Sequence, residues 1–123
     1  MNIENLYQIF TTKPGVTETF PFDNDTLVFK VMGKMFALTS LAEWEKGNCR
    51  INLKCDPQRA IELREEYDGL INPGWHMSKT HWNTVMINTG LEDKMVLELI
   101  NHSYDLVVAS LIKKLRAELD LLK

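Results

Sequence analysis

The chain has 123 residues, of which 45% are hydrophobic and 25% are charged. That length is enough for one domain with its own hydrophobic core and too short for two ordinary domains. The formal charge of −3 excludes a general attraction to nucleic acid or to an anionic membrane, so any such binding needs a local basic patch.

The first half of the chain predicts one helix followed by an antiparallel meander of four strands. Ile3 and Phe10 belong to a run of apolar residues at helical spacing, and Lys13-Pro14-Gly15 stops that run, which predicts a helix over 3–12. Strands are predicted over 17–22, 27–32, 35–41 and 49–55. A tight hairpin at Gly33-Lys34 joins the second strand to the third, and the longer connection over 42–48 carries the first tryptophan.

The fourth strand, over 49–55, alternates strictly between apolar and polar residues. Its odd positions face a core, whereas Arg50, Asn52 and Lys54 face outward together. The stretch 26–55 has five basic residues against two acidic ones, a local charge of +3. Two interpretations of the outward row are open: an ordinary solvated sheet face, or a face that binds an anionic partner.

The second half of the chain predicts a helix, one more strand and two further helices. Asp56-Pro57 is a strong helix start, and the helix is predicted to end near Tyr67. A strand is predicted over 84–89. A long helix and a last amphipathic helix, from Ser110 onward, follow. One stripe of the long helix consists of Leu91, Met95, Leu99, His102 and Leu106.

Cysteine usage and the absence of targeting signals predict the compartment. Cys49 and Cys55 lie at the two ends of one predicted strand, about 20 Å apart, so they cannot pair within it. Reduced thiols packed as small core residues are the simple interpretation. The amino terminus lacks a signal-peptide pattern, and no apolar run approaches membrane-spanning length. The sequence therefore predicts a cytoplasmic protein without a membrane partner.

Residues 72–85 form the stretch richest in polar and aromatic side chains, with two of the three tryptophans and two of the three histidines. Pro73-Gly74 predicts a turn that leads into a surface loop over 75–82. The residues suited to nucleic-acid contact, because they combine cations with flat rings, are Trp75, His76, Lys79, His81 and Trp82. Packing on the sheet is the alternative for both tryptophans: it is preferred for Trp82 and stays open for Trp75.

The sequence contains no recognisable catalytic or metal-binding motif. Ser78 beside His76 or His81 lacks the strand-turn-helix elbow that activates a serine, and no glycine-rich phosphate loop is present. The same two histidines would bind zinc only with two further ligands. His102 lies among apolar neighbours, where a hydrogen-bonded residue at the edge of the core is expected. The sequence thus predicts a protein that is not an enzyme and that holds no metal and no cofactor.

Four segments match a known family: Lys13-Pro14-Gly15, residues 73–85, His102-Ser103-Tyr104 and residues 113–116. With them the chain resembles the MmcQ/YjbR family over nearly its whole length. The resemblance implies an α+β fold, a two-layer sandwich of an antiparallel sheet backed by helices, similar to the CyaY-like (frataxin-like) fold. It agrees with the element order α-β-β-β-β-α-β-α-α predicted above, in a single domain over residues 1–123.

Members of this family are commonly described as DNA-binding because of a proposed double-wing arrangement, which is an argument from fold. The positions that match the family pattern are Pro73, Gly74, His76, Lys79, His81, Trp82 and Asn83. Ile112 stands where a proline is common in the family, which suggests that the last helix starts earlier or continues from the previous one. Frataxins bind iron on an acidic ridge, whereas the first helix here is not acidic.

The leading hypothesis is therefore a monomeric DNA-binding or other nucleic-acid-binding domain of low sequence specificity. The alternative is a protein or small-ligand interaction module that uses the loop and the last helix. Basic residues gathered on one face favour the first hypothesis, and scattered ones favour the second. The predicted contact residues are Arg50, Asn52, Lys54, Trp75, His76, Lys79, His81, Trp82 and Asn83. The predicted core includes Val31, Ile51, Leu53 and Leu99.

Overall fold

The computed structural model describes all 123 residues as five helices and a six-stranded antiparallel sheet with the strand order β1-β2-β3-β4-β6-β5. The predicted α+β class is confirmed. No helix combines the length and the hydropathy needed to cross a bilayer. The elements in chain order are α1 (Ile3–Thr11), β1 (Val16–Thr19), β2 (Thr26–Val31), β3 (Lys34–Ser40), α2 (Leu41–Glu45), β4 (Arg50–Lys54), α3 (Pro57–Glu66), β5 (Ile71–Pro73), β6 (Trp82–Met86), α4 (Asp93–Ala109) and α5 (Lys113–Asp120).

Two short elements, α2 and β5, are additional to the predicted order. Helix α2 occupies the connection over 42–48, and Ser40 caps it by accepting the N–H of Glu43 at 3.3 Å. Strand β5 pairs with β6 through Ile71 opposite Val85 and Asn72 opposite Thr84. A helix of five residues is too short to show the hydrophobic period of 3.6, and a strand of three residues is too short to show the period of 2. Such elements are defined by their partners in the fold.

The junction between α4 and α5 corrects the expectation for Ile112. Helix α4 ends at Ala109 and α5 begins at Lys113, so the last helix neither starts early nor continues from α4. Ile112 has φ −64° and ψ 156° at the amino end of α5. A proline would fix the same φ. Isoleucine adopts this conformation here, next to the buried Leu111, and the helix break is kept.

Helices α1, α3 and α4 pack on one face of the sheet and form the main core with it. The four predicted core residues, Val31, Ile51, Leu53 and Leu99, are all buried in this cluster. The ring of Phe10 in α1 stacks on that of Phe29 in β2, with centroids 4.3 Å apart. The sheet and the three helices thus make two layers around a single core.

Ser103 joins α4 to the sheet where β3 and β4 separate. The ladder between these strands contains only the pairs Ala37 with Leu53 and Leu38 with Asn52. Beyond it, the buried Ser103 hydroxyl accepts the N–H of Lys54 at 2.9 Å and donates to the C=O of Phe36 at 2.5 Å. One side chain therefore satisfies two backbone groups that the ladder leaves unpaired.

The neighbours of Ser103 also bond to backbone groups. His102 Nε2 accepts the N–H of Asp56 at 3.2 Å, and Tyr104 donates its hydroxyl to the C=O of Pro14 at 2.6 Å. Burial holds the pKa of His102 below its ordinary value, which keeps its ring neutral and able to accept. The predicted structural role of His102 is confirmed. Burial also raises the pKa of Cys55 to about 11, so this unpaired thiol stays protonated.

Candidate nucleic-acid interface

The sheet has a second face, turned away from the helices, that we call the outer face. Opposite residues of an antiparallel pair lie on the same side of the sheet, so the strand register identifies this face. Its strand residues are Thr17, Thr19, Thr26, Val28, Lys30, Met35, Leu38, Ser40, Arg50, Asn52, Lys54, Asn72, Trp82, Thr84 and Met86. Three of these residues are basic and none is acidic.

Part of the outer face is covered by residues 74–81, which we call the central loop. Val28, Leu38 and Trp82 form a small apolar cluster of their own, against which Met77 of the central loop packs. Trp82 is 6% exposed. Its predicted packing on the sheet is confirmed, and the structure therefore removes it from the predicted contact surface.

Trp75 is fixed to the outer face through its backbone. Its N–H donates to the Thr84 hydroxyl at 2.9 Å, and its C=O accepts from Asn52 Nδ2 at 3.0 Å. The Thr84 hydroxyl in turn donates to Asn52 Oδ1 at 2.5 Å. Both polar groups of Asn52 are thus occupied within the chain, whereas the Trp75 side chain remains exposed, at 46%. Asn52 therefore positions the central loop, and one N–H of its amide group remains unused.

Arg50 stacks on Trp75. Its guanidinium carbon lies 4.0 Å from the centre of the indole ring, and its Nη2 lies 3.5 Å from a carboxylate oxygen of Glu43. The His76 ring lies 4.4 Å from the indole ring at an angle of 45°, and His76 adopts a left-handed φ of 59°. Arg50 and His76 therefore hold the indole in place, and the charge of Arg50 is already paired.

The other basic residues of the stretch 26–55 differ in their partners. Lys30 and Lys54 lie on the outer face without a carboxylate within 4.0 Å. Lys34 instead donates to the C=O of Ser110 at the end of α4, and Lys46 pairs with Glu43 at 3.8 Å. Three of the five basic residues of 26–55 thus lie on the outer face and two do not. This distribution partly favours the nucleic-acid hypothesis.

Asn83 and Arg64 tie the base of the central loop to α3. Asn83 is buried on the helix side of the sheet, where its Oδ1 accepts from Arg64 Nε at 2.7 Å and its Nδ2 donates to the C=O of Ala60 at 3.4 Å. Arg64 Nη2 also donates to the C=O groups of Lys79 and Trp82. Asn83 is therefore inaccessible to a ligand, contrary to its place among the predicted contact residues.

Sequence reasoning did not identify Arg64 as a site residue. Its position in the sequence could have identified it, because Arg64 lies on the apolar side of α3 with Ala60 and Leu63. An arginine there needs buried acceptors.

Gly74 is required by close packing at the start of the central loop. A Cβ atom at this position would lie 2.7 Å from Trp82 Cβ and 2.9 Å from the Trp82 carbonyl oxygen. Lys79 folds back over the same residue and donates to the C=O of Gly74 at 3.1 Å. The Pro-Gly-Trp sequence is thus explained by how tightly the loop approaches β6.

His81 and the other candidate ligands are scattered. The His81 carbonyl accepts the N–H of Cys55 at 2.8 Å, and its side chain is exposed. No group of three or more histidine, cysteine, aspartate or glutamate side chains lies close enough together to hold a metal ion. The two loop histidines therefore have different neighbours: His76 lies against Trp75, and His81 immediately precedes β6.

Comparisons with solved structures give close matches to the fold. The crystal structure of Deinococcus radiodurans protein DR2400, domain DUF419, is similar with a TM-score of 0.88 and 37% identity, over 97% of this chain and 88% of that one. A crystal structure of a Pseudomonas syringae protein gives a TM-score of 0.71 and 26% identity, over 86% of this chain and 98% of that one.

Sequence comparisons identify relatives and a family. The uncharacterized protein YbdF of Escherichia coli O157:H7 is 39% identical over 101 residues, which cover 82% of this chain and 80% of that protein. The uncharacterized protein YjbR of Escherichia coli (strain K12) is 30% identical over 108 residues, 88% of each chain. The sequence model of the YjbR family matches residues 11–106, which include all six strands and every residue of the candidate interface. The resemblance seen in the sequence is therefore confirmed, and this chain belongs to the YjbR family.

Proposed function

We propose that this protein is a nucleic-acid-binding domain of low sequence specificity, without enzymatic activity, and that the outer face and Trp75 form its contact surface. One observation carries the proposal: the outward strand residues include three cations and no acid, and two of these cations, Lys30 and Lys54, have no acidic partner, although the whole chain has a charge of −3. A phosphate backbone is attracted to such a local field in spite of the unfavourable net charge.

The parts of this surface have different roles. Lys30 and Lys54 are free to contact phosphates, because neither has a carboxylate partner. Arg50 supports the indole of Trp75, which is exposed enough for a base to stack on. Contacts to phosphates and unselective stacking give affinity without base readout, which is why we expect low specificity.

Replacing both Lys30 and Lys54 by glutamine is expected to reduce the salt dependence of binding. On single strands the slope of log K against log salt should become shallower by about 1.4, since each phosphate contact contributes about 0.7. Fluorescence anisotropy of labelled oligonucleotides at several salt concentrations measures the slope. The control is Lys34→Gln with Lys94→Gln, which removes the same charge at the two ends of α4, away from the outer face. Equal slopes for the two double variants would contradict the proposed surface.

Replacing Trp75 by alanine is expected to weaken single-strand binding by about 1 to 3 kcal/mol, because it removes the exposed stacking ring. The salt slope should stay the same, since no charge is lost. Phe22→Ala is the matched control, because Phe22 is also an exposed aromatic residue but lies in the β1–β2 connection beside Asp23. Absence of oligonucleotide binding by the unmodified protein, at low salt and tens of micromolar protein, would overturn the proposal.

A protein-interaction module is the second candidate, and the exposed apolar residues around α5 favour it. Ile112, Leu121 and Leu122 are 65%, 85% and 60% exposed. This candidate replaces the first if oligonucleotides do not bind.

A further inference from the structure

A small pocket lies between α3 and the central loop. It has a volume of about 230 Å³ and is lined by Pro57, Ile61, Arg64, Lys79 and Thr80. Two of these residues are cations and a third carries a hydroxyl group. The pocket is smaller than the roughly 300 Å³ from which drug-sized ligand sites begin, so its size suits a small ion or a single substituent of a larger molecule.

Arg64 is held in this pocket without losing its charge. Its Nε and Nη2 donate to the side chain of Asn83 and to the C=O groups of Lys79 and Trp82. All three acceptors are neutral, and no carboxylate lies within 4.0 Å of the guanidinium. Its Nη1 has no acceptor in the chain and is not buried, so two N–H donors remain available.

Lys79 and Thr80 add further unused donors. The ammonium group of Lys79 is oriented by one hydrogen bond, to the C=O of Gly74, and it has no acidic partner. An ammonium group has three donors, so two remain. Thr80 is exposed and lines the pocket, and its hydroxyl is a further donor. The amino end of α3 does not add to this field, because the Asp56 carboxylate already accepts the N–H of Arg59 there.

Arg64 differs in its partners from Arg59 and Arg50. Arg59 lies five residues before Arg64 on the same helix, and its Nη2 contacts both carboxylate oxygens of Glu98, at 2.6 and 2.7 Å. Arg50 is also paired, with Glu43. Arg64 differs from both, because its position is fixed by neutral oxygens while its formal charge stays uncompensated. Fixed, uncompensated cations with unused donors are the requirement for binding an anion.

We propose that Arg64, Lys79 and Thr80 form a binding site for a tetrahedral oxyanion, in the form of a phosphate group. Nη1 of Arg64 supplies two N–H donors, Lys79 supplies a second positive charge, and Thr80 supplies a hydroxyl donor. The phosphate comes either from a phosphodiester backbone or from a free phosphomonoester. This site goes beyond the proposed nucleic-acid interface, since its residues lie off the strand positions of the outer face and would bind inorganic phosphate without any oligonucleotide.

The test is a titration of the isotope-labelled protein with inorganic phosphate, followed by the NMR signals of the Thr80 amide and the Arg64 Nε–H. Sodium chloride at equal ionic strength serves as the reference. Saturable shifts of both signals, with a Kd in the millimolar range, are expected. Lys79→Gln should weaken the binding about tenfold, whereas Lys94→Gln, which removes a charge from the start of α4, should leave it unchanged.

Two oligonucleotide arms distinguish the sources of the phosphate group. Shifts of the same two signals with an oligothymidine that has no terminal phosphate indicate a phosphodiester, and shifts only with inorganic phosphate and the 5′-phosphorylated form indicate a monoester. Shifts that do not saturate, or equal phosphate binding by Lys79→Gln and Lys94→Gln, would overturn the site. The phosphate site can be overturned in this way while oligonucleotide binding still depends on Lys30 and Lys54. The two proposals are therefore tested independently.

Discussion

Truncation of Leu99 to alanine is expected to destabilise the protein by about 2 to 5 kcal/mol. Leu99 is 4% exposed and lies on α4 against the sheet, in the same cluster as Leu53 and Leu63. The substitution removes buried methyl groups and leaves a cavity that the surrounding helices and strands can only partly fill. Denaturant unfolding, followed by circular dichroism and analysed by linear extrapolation, measures the loss.

Leu97→Ala provides the matched control for this experiment. Leu97 lies two residues earlier on the same helix but is 37% exposed, so the same truncation removes much less buried surface. A loss of about 0.5 kcal/mol is expected for it. If Leu99→Ala cost no more than Leu97→Ala, the assignment of the buried side of α4 would be incorrect.

Replacing Ser103 by alanine is expected to cost about 2 to 4 kcal/mol, although the substitution removes a single oxygen atom. The N–H of Lys54 and the C=O of Phe36 both lose their partner, and each buried unsatisfied group costs about 1 to 3 kcal/mol. Unfolding in denaturant measures the overall loss. Amide hydrogen exchange adds a local measurement, because the Lys54 amide should exchange faster in the variant.

Ser110→Ala, at the residue that follows α4, is the control for Ser103→Ala. The Ser110 hydroxyl donates to the C=O of Val107 at the exposed end of α4, where water can replace it. A change within about 0.5 kcal/mol is expected. Equal costs for both serine variants, with unchanged exchange at Lys54, would show that Ser103 does not join β3 and β4 as described.

Local periodicity was sufficient to predict the long elements and the core. The alternation over 49–55 places Ile51 and Leu53 inside and Arg50, Asn52 and Lys54 outside, as observed. The start signal of α3, Asp56-Pro57, is likewise contained in two neighbouring residues. These features depend on interactions close in sequence, so the sequence alone determines them.

The predicted stripe of α4 was correct only in part, because Leu99 is buried whereas Met95, His102 and Leu106 are half-buried. The buried side of α4 is completed by Val96, Ile100, Ser103, Tyr104 and Val107.

The roles of the outward residues were decided by tertiary contacts. Arg50 and Asn52 do face outward, but the central loop folds over them. Arg50 supports the ring of Trp75, and Asn52 donates to the C=O of Trp75. The two tryptophans of residues 72–85 differ in exposure, since Trp82 is buried and Trp75 is exposed. The sequence favoured packing for Trp82, at the start of a strand, and left Trp75 open. The burial of Trp82 depends on Val28 and Leu38, which come from strands distant in the chain.

The sequence by itself thus determined the fold class, the main elements, the core and the outward basic row, since hydrophobic period and turn chemistry are local properties. Only the tertiary structure decided that β5 pairs with β6, that Asn83 faces α3, and that Arg64 and Lys79 meet at one pocket. The physical reason is that a hydrogen-bond partner or an uncompensated charge is a property of two groups brought together in space. Arg64 and Lys79 lie 15 residues apart in the chain, and their meeting depends on how α3 and the central loop pack.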